Sequence, residues 1–195
     1  MYLENRDFQV TIAEDRAYTM DNGPYDICWN PLELRQSDLL KAFSIQVEGK
    51  RNWSAVLIGT YLCGDDNCAV LDGDCLTVLL ESGLVQIDLC RREMGPFQEL
   101  PCSSNLFALY RCPEGIEGFV IWGEMEILKL DSKFRLKWRN SGADIFETPT
   151  GEPAFQMKQD RLCLRDFKGN YYEWSYSGET LRFAGAEAMG EGEKP

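Results

Sequence analysis

Two carboxylates separated by a single residue are the most suggestive pair for chemistry in this sequence. Glu124 and Glu126 flank Met125. Residues two apart on a strand face the same side, which would bring the two carboxylates to about 7 Å from each other. Neighbouring carboxylates shift each other's pKa, and glycoside hydrolysis uses such a pair as acid and base. The alternative interpretation is a solvated strand face, or two acceptors for turn amides.

Two further residues near this pair are candidates for binding. Trp122 precedes it, and an exposed indole ring stacks on sugars or anchors a protein partner. Asp144 precedes Ile145 and Phe146, where it would bind a ligand or anchor a turn. The predicted binding residues are therefore Trp122, Glu124, Glu126 and Asp144, and no catalytic residue is assigned.

The eight cysteines do not have the spacing of a metal site. The tightest group, Cys63, Cys68 and Cys75, has four and six intervening residues, whereas structural zinc needs two close pairs or added histidines. We expect reduced thiols packed as small apolar side chains, and no metal. A thiol or metal sensor at these three cysteines is a third hypothesis for function. No glycine-rich phosphate loop is present, so we expect no cofactor.

The composition excludes several classes of site. The chain of 195 residues has no histidine, which excludes catalytic triads with an imidazole base and histidine-ligated zinc. Its 20 basic and 32 acidic residues give a net charge of -12. Phosphate backbones bind to basic surfaces, so we expect no nucleic-acid partner.

Membrane segments and export signals are not evident. No run reaches the roughly 18 apolar residues that a spanning helix needs. The first residues, MYLENRDFQVTIAEDR, contain scattered charges and no apolar stretch, unlike a secretory signal. We expect a cytoplasmic bacterial protein with no membrane partner.

The elements that must position these residues are strands. Short alternating apolar runs are separated by turn residues, a pattern typical of β-sheets. One short helix is predicted near 32–42, where Leu32, Leu39 and Leu40 would share a face. The predicted strands are 8–12, 43–47, 55–62, 76–80, 84–89, 106–110, 118–122, 126–130, 135–138, 154–157, 162–167 and 171–176.

A repeat organises these strands. An apolar-x-apolar run followed by a turn residue ends at Asp88, Asp131 and Ser175, with intervals of 43 and 44 residues. A degenerate copy ends at Glu48. Periods of about 40 to 50 residues with several strands per unit are typical of propeller blades. Four units nearly fill the chain, so the predicted fold is all-β, with antiparallel blade-like sheets in an open partial propeller or twisted sandwich. We expect one domain over 1–183 and a disordered tail over 184–195.

The stretch 118–178 resembles an uncharacterised family of small bacterial β-rich, propeller-blade-like proteins. The resemblance is carried by Gly-Glu-x-Glu-Ile at 123–127, Trp138, Asp-Ile-Phe at 144–146 and Asp-x-x-Gly-x-Tyr at 166–171. Some members of the family carry His where this chain has Trp122. The resemblance implies a blade-like fold and no assigned activity.

These observations favour binding over catalysis. The expected function is that of a non-enzymatic protein-interaction module with an acidic surface, and one specific form is an immunity or antitoxin role against a basic nuclease. The partner would be a protein of unknown identity. The alternative is a carbohydrate-binding or carboxylate-dependent hydrolase-type site around Glu124 and Glu126.

Overall fold

A computed structural model describes residues 1–20, 23–35, 38, 40–59 and 67–186. Within these ranges eighteen β-strands form four sheets, and none of the sheets closes on itself. The predicted all-β class with open, blade-like sheets is therefore confirmed. The chain divides into two compact units, Met1–Pro101 and Cys102–Pro195, which are described in turn. The expectation of one domain over 1–183 stays a prediction.

The first unit contains two five-stranded sheets. The first sheet has the order β1-β2-β4-β5-β3, and all its pairs are antiparallel except β3 with β5. The second sheet has the order β10-β8-β7-β6, with β9 also paired to β8. The strands are β1 (Tyr2–Glu4), β2 (Gln9–Glu14), β3 (Ile27–Trp29), β4 (Lys41–Glu48), β5 (Trp53–Gly59), β6 (Ala69–Asp72), β7 (Cys75–Leu80), β8 (Gly83–Asp88), β9 (Glu93–Met94) and β10 (Gln98–Glu99).

Both sheets of the first unit contribute to one core. Strand β4 alternates buried and exposed residues, as expected where one face is covered and the other is solvated. Its Ile45 and Val47 pack in one cluster with Leu76 and Val78 of β7 and Ile87 of β8, all fully buried. Burial of such side chains is worth about 1.5–3 kcal/mol each.

The second unit contains two four-stranded antiparallel meanders, β11-β12-β13-β14 and β15-β16-β17-β18. Consecutive strands are neighbours in both, as in a propeller blade. The last strand of each is mostly exposed, whereas β13 is buried throughout. The strands are β11 (Leu106–Arg111), β12 (Phe119–Gly123), β13 (Glu126–Leu130), β14 (Leu136–Ser141), β15 (Phe155–Met157), β16 (Arg161–Arg165), β17 (Tyr171–Ser175) and β18 (Thr180–Ala184).

The repeat positions occupy equivalent points of the four sheets. Glu48, Asp88 and Ser175 end the third strand of their sheets, and Asp131 directly follows the third strand β13. The Asp131 Oδ1 atom accepts hydrogen bonds from the amides of residues 133 and 135, at 2.9 and 3.0 Å. The Ser175 hydroxyl accepts one from the Glu179 amide at 3.0 Å. Hydrogen bonding of turn amides to a side-chain oxygen therefore explains the residue type at Asp131 and Ser175.

The helix predicted near 32–42 does not form in the described residues of that stretch. Asn30 accepts a hydrogen bond from the Leu34 amide at 3.0 Å and donates one to its carbonyl at 2.8 Å. Glu33 has a φ of 53°, which is incompatible with a right-handed helix. Strand β4 already begins at Lys41. Residues 36, 37 and 39 lie outside the described residues. The asparagine-closed turn replaces the helical hydrogen bonds.

Two other expectations concern the C-terminal tail and the absence of a membrane-spanning helix. Strand β18 extends to Ala184, so the first residue of the predicted tail is part of a sheet. Residues 187–195 of that tail lie outside the described residues. In the part of the chain that the structure describes, no helix is both long and apolar enough to span a membrane.

Candidate functional site

The predicted carboxylate pair lies at a turn and not on a strand. Strand β12 ends at Gly123 and β13 begins at Glu126, so Glu124 and Met125 form the connection of a hairpin. The Glu124 amide donates to the Asn105 carbonyl at 2.7 Å, which fixes this connection beside the segment before β11. The expectation that the two carboxylates share one face of a strand is therefore wrong.

Glu126 is a buried carboxylate with structural partners. Its side chain is 1% exposed. Its Oε1 atom accepts hydrogen bonds from the Ser103 amide at 2.8 Å and from the Ser103 hydroxyl. Its Oε2 atom lies 3.7 Å from Nε of Arg139, the cation that offsets part of the cost of burying its charge. Glu126 thus holds the chain at Ser103 against the start of β13.

Glu124 has a different environment. Its side chain is half-buried, and its Oε2 atom accepts one hydrogen bond from Asn105 Nδ2 at 3.3 Å. Its carbonyl accepts a bond from the Phe146 amide at 2.6 Å, so its backbone contributes more to the fold than its side chain. A hydrolase needs two carboxylates that reach substrate, and the burial of Glu126 gives that hypothesis no support.

Trp122 is packed among aromatic rings. Its ring is stacked on Phe155 at a centroid distance of 5.6 Å and an interplanar angle of 10°. The Phe107 ring contacts it edge-on at 5.4 Å. The indole is half-buried, and its Nε1 atom has no hydrogen-bond partner among the described residues. Packing in an aromatic cluster accounts for Trp122 without a ligand.

Asp144 anchors a loop. Its Oδ1 atom accepts a hydrogen bond from the Ile145 amide at 2.9 Å, and its Oδ2 atom lies 3.2 Å from Nζ of Lys168. The amide, and then the ammonium group, lower the pKa of this carboxyl. The Phe167 amide donates to the Ile145 carbonyl at 2.8 Å. These contacts join the loop after β14 to the turn between β16 and β17, as the turn interpretation of Asp144 expects.

A cavity of about 540 Å³ lies in the first unit, and none of the four predicted residues is part of its lining. Four turns line it, and they come from both sheets of that unit: β1–β2, β4–β5, β6–β7 and β8–β9. Its volume is within the range of about 300–1,000 Å³ that is typical of small-molecule sites. The lining residues used below are Phe8, Lys50, Arg51, Trp53, Leu89 and Arg92.

The lining of this cavity combines apolar and basic side chains. Trp53 and Leu89 are buried and Phe8 is half-buried, whereas Lys50 and Arg51 are exposed. The Arg92 guanidinium lies over the Trp53 ring, 5.9 Å from its centroid. Such a cation–π contact holds the guanidinium at the aromatic face.

One cluster beside the cavity has donors that a metal could use. Single ligand atoms of Asp74, Asp88 and Cys90 lie within 4.8 Å of one another. The Asp88 carboxylate already accepts the Arg91 amide at 2.8 Å and lies 3.6 Å from its Nε. Because this carboxylate is engaged in its own turn, we assign no metal to the cluster.

The described residues do not group the three cysteines of the sensor hypothesis into a site. Cys63 lies outside the described residues. Cys68 is buried, with its Sγ atom 3.3 Å from Sδ of Met1. Cys75 is half-buried, and burial raises the pKa of its thiol, with further increases from neighbouring aspartates. A reactive sensor thiol needs a lowered pKa, so the environment of Cys75 opposes this role.

The cavity was not predicted from the sequence, because its lining residues are far apart in the chain. The available signal was the pair Lys50-Arg51 close to Trp53, together with a second basic pair, Arg91-Arg92, in an acidic chain. Only the folded first unit brings the two segments to one cavity.

Comparison with known proteins adds no assignment. No protein-family model matches the chain, and a search of curated proteins gave no match. The resemblance to blade-like bacterial proteins therefore stays a prediction.

Proposed function

We propose that this chain is a non-enzymatic protein-interaction module of the bacterial cytoplasm. Its partner is a protein with a basic surface, as expected for an immunity or antitoxin role. The net charge of -12 supports this choice, because an acidic surface attracts a basic one and accelerates their association.

The observation that carries the proposal is the outermost strand of the last sheet. Leu181 and Phe183 of β18 are 51% and 59% exposed. Phe183 lies opposite Tyr172 of β17, and Leu181 lies at a bulge of β18, between the residues opposite Glu173 and Trp174. Among the described residues β18 pairs only with β17, and its other edge is open. Exposed apolar side chains on an open edge suit a partner that adds a strand and covers them.

The predicted binding residues contribute less to this proposal. Glu126 is buried, and Trp122 and Asp144 have contacts within the unit. Glu124 keeps a half-exposed carboxylate with one long hydrogen bond. We therefore assign the contact surface to β18 and assign the acidic residues of the chain to long-range attraction.

The test is affinity capture from the lysate of the host cell, followed by a binding measurement with the captured protein. Three baits are compared: the wild-type chain, the double variant Leu181→Ser/Phe183→Ser, and Leu136→Ser as a matched control. Leu136 is an exposed apolar residue of the other outer strand, β14. We expect a basic partner that the wild type and the control bind equally. Loss of two apolar contacts should weaken its binding to the double variant by at least about tenfold.

The dependence of binding on salt concentration tests the electrostatic attraction separately from the contact at β18. The association rate should fall steeply with ionic strength, whereas the effect of the double variant should appear mainly in the dissociation rate. Capture of no partner, or of a partner whose association is insensitive to salt, would contradict the proposal. Equal binding by the double variant would show that β18 is not the contact surface.

A further inference from the structure

We infer that the cavity of the first unit binds a small planar organic anion, in which one oxyanion group is attached to a flat ring. The residues of this site are not those of the β18 surface, and the inference does not depend on the proposed protein binding. It is drawn from the charge of the cavity, its apolar lining and the contacts that hold three of its four turns.

The basic residues of the cavity are available for an anion. Lys50 and Arg51 follow each other in the β4–β5 turn, and both are exposed. Within the described residues neither side chain makes an ion pair with a carboxylate. Two adjacent cations therefore face the cavity without a carboxylate that would compete with an anionic ligand. An arginine and a lysine side by side bind carboxylate and phosphate oxygens.

A third cation of the cavity lining is less exposed than Lys50 and Arg51. The Arg92 guanidinium is half-buried over the Trp53 ring. The three cations outnumber Asp7 and Asp74, the two carboxylates in the lining. The cavity therefore carries one excess positive charge, opposite in sign to the whole chain. The two aspartates oppose a ligand with several negative charges, so a single oxyanion group is favoured.

The floor of the cavity suits a flat ring. Trp53 is 5% exposed, with the Trp29 ring edge-on to it at 5.9 Å and the Arg92 guanidinium over it, so its ring is fixed by packing and offers a ligand only a small exposed area. Leu89 and Phe8 add apolar surface. Fixed aromatic and aliphatic surface of this kind binds a planar apolar group at little entropic cost.

Three of the four turns are joined to one another, so most of the cavity is formed before a ligand arrives. Asn5 Nδ2 donates to the Gly73 carbonyl at 2.7 Å, which links the β1–β2 turn to the β6–β7 turn. The Leu89 amide donates to the Asp74 carbonyl at 2.8 Å, which links the β6–β7 turn to the segment after β8. A pre-formed site binds more tightly than one that must order on binding.

The test uses 2-naphthoate as the probe and measures binding to the full chain by NMR titration. The Trp53 indole N–H signal, assigned with a Trp53→Phe variant, reports on the cavity floor. We expect naphthoate to shift this signal, and the neutral analogue 2-naphthamide to bind at least about tenfold more weakly. A parallel titration with 2-naphthyl phosphate distinguishes a phosphate ligand from a carboxylate ligand, and stronger binding of either one shows which oxyanion the cavity prefers.

Charge-removing variants locate the anion. In Lys50→Gln/Arg51→Gln the affinity for naphthoate should fall by at least about tenfold. The control Lys133→Gln/Lys137→Gln removes two exposed cations from the second unit and should bind as the wild type does. All four side chains are exposed, so the variants should fold. The inference is wrong if neither oxyanion shifts the Trp53 signal, if the amide binds as well as naphthoate, or if the Lys50/Arg51 variant binds like its control.

Discussion

Glu124 and Glu126 have the same side chain and stand one residue apart, yet the fold uses them differently. Glu126 accepts two hydrogen bonds from Ser103 and is almost completely buried. The Glu124 carboxylate accepts one hydrogen bond, of 3.3 Å, at the surface. Burial and partners, not residue type, decide which carboxylate supports the structure.

This difference predicts unequal effects of substitution. Glu126→Ala leaves the Ser103 amide without this acceptor and removes the ion pair between Glu126 and Arg139, and should lower the free energy of unfolding by about 2 kcal/mol. Glu124→Ala keeps the backbone bonds and should cost less than about 0.5 kcal/mol. Urea denaturation followed by tryptophan fluorescence measures both, with Glu124→Ala as the matched control. Equal losses would show that the side chain of Glu124 is also structural.

Several aspartate side chains of this protein accept hydrogen bonds from turn residues. The Arg135 amide, the Arg135 guanidinium and the Lys133 amide all donate to Asp131, and they lower the pKa of its carboxyl to about 2. Asp166 is fully buried and accepts bonds from Asn170 and from the Tyr172 hydroxyl at 2.8–2.9 Å. Part of the acidic composition therefore reflects the many turns of a β-sheet protein.

Among the elements, the hairpin between β11 and β12 shows how closely a turn can be specified. Gly115 and Gly118 both have positive φ, 86° and 90°. A Cβ atom on Gly115 would meet nothing within 4 Å. A Cβ atom on Gly118 would overlap the Leu130 carbonyl oxygen and come within 2.9 Å of Nζ of Lys129. Lys129 is buried, and its ammonium donates to the carbonyls of Glu117 and Leu130.

The two glycines form a matched pair for mutation. Gly115→Ala should cost about 1 kcal/mol of unfolding free energy, the price of a left-handed backbone with a Cβ atom. Gly118→Ala adds the steric overlap and the displacement of a buried ammonium group, and should cost about 3 kcal/mol or more. Thermal and urea unfolding measure the difference. Similar values for both variants would mean that the backbone near Leu130 moves aside at little cost.

At the scale of the whole molecule, each compact unit has a core of its own. Sixteen buried residues of the first unit, from Val10 to Leu89, form one cluster. A second cluster, from Cys112 to Trp174, lies within the second unit. Each cluster is shared by the sheets of its unit, as a separately stable domain requires.

We therefore expect each unit to fold when expressed alone, as residues 1–101 and 102–195. Each fragment should give a β-sheet circular dichroism spectrum and a cooperative thermal transition, because its strands keep their sheet partners. Dispersed amide signals in NMR spectra would confirm specific packing. If either fragment is unfolded, the two units depend on each other, and the sequence-based expectation of one domain over 1–183 would be supported instead.

The sequence alone determined the all-β class, most of the longer strands and the repeat. Alternating apolar residues and capped turns are local signals, so β2, β4, β7, β8, β11 and β17 were predictable from neighbouring residues. The strands β1, β3, β6, β9, β10 and β18 were not predicted, because runs of two to five residues carry little periodicity and pair only where another strand offers an edge. The helix prediction failed because one asparagine closes a turn there.

Tertiary structure alone decided the sites. Whether a carboxylate is buried, as Glu126 is, depends on chain segments that the sequence places far from it, such as Ser103. The cavity depends on four turns that come together only when two sheets pack on one core. Local pattern can specify a strand, but a binding site is defined by long-range neighbours, and these exist only in the folded chain.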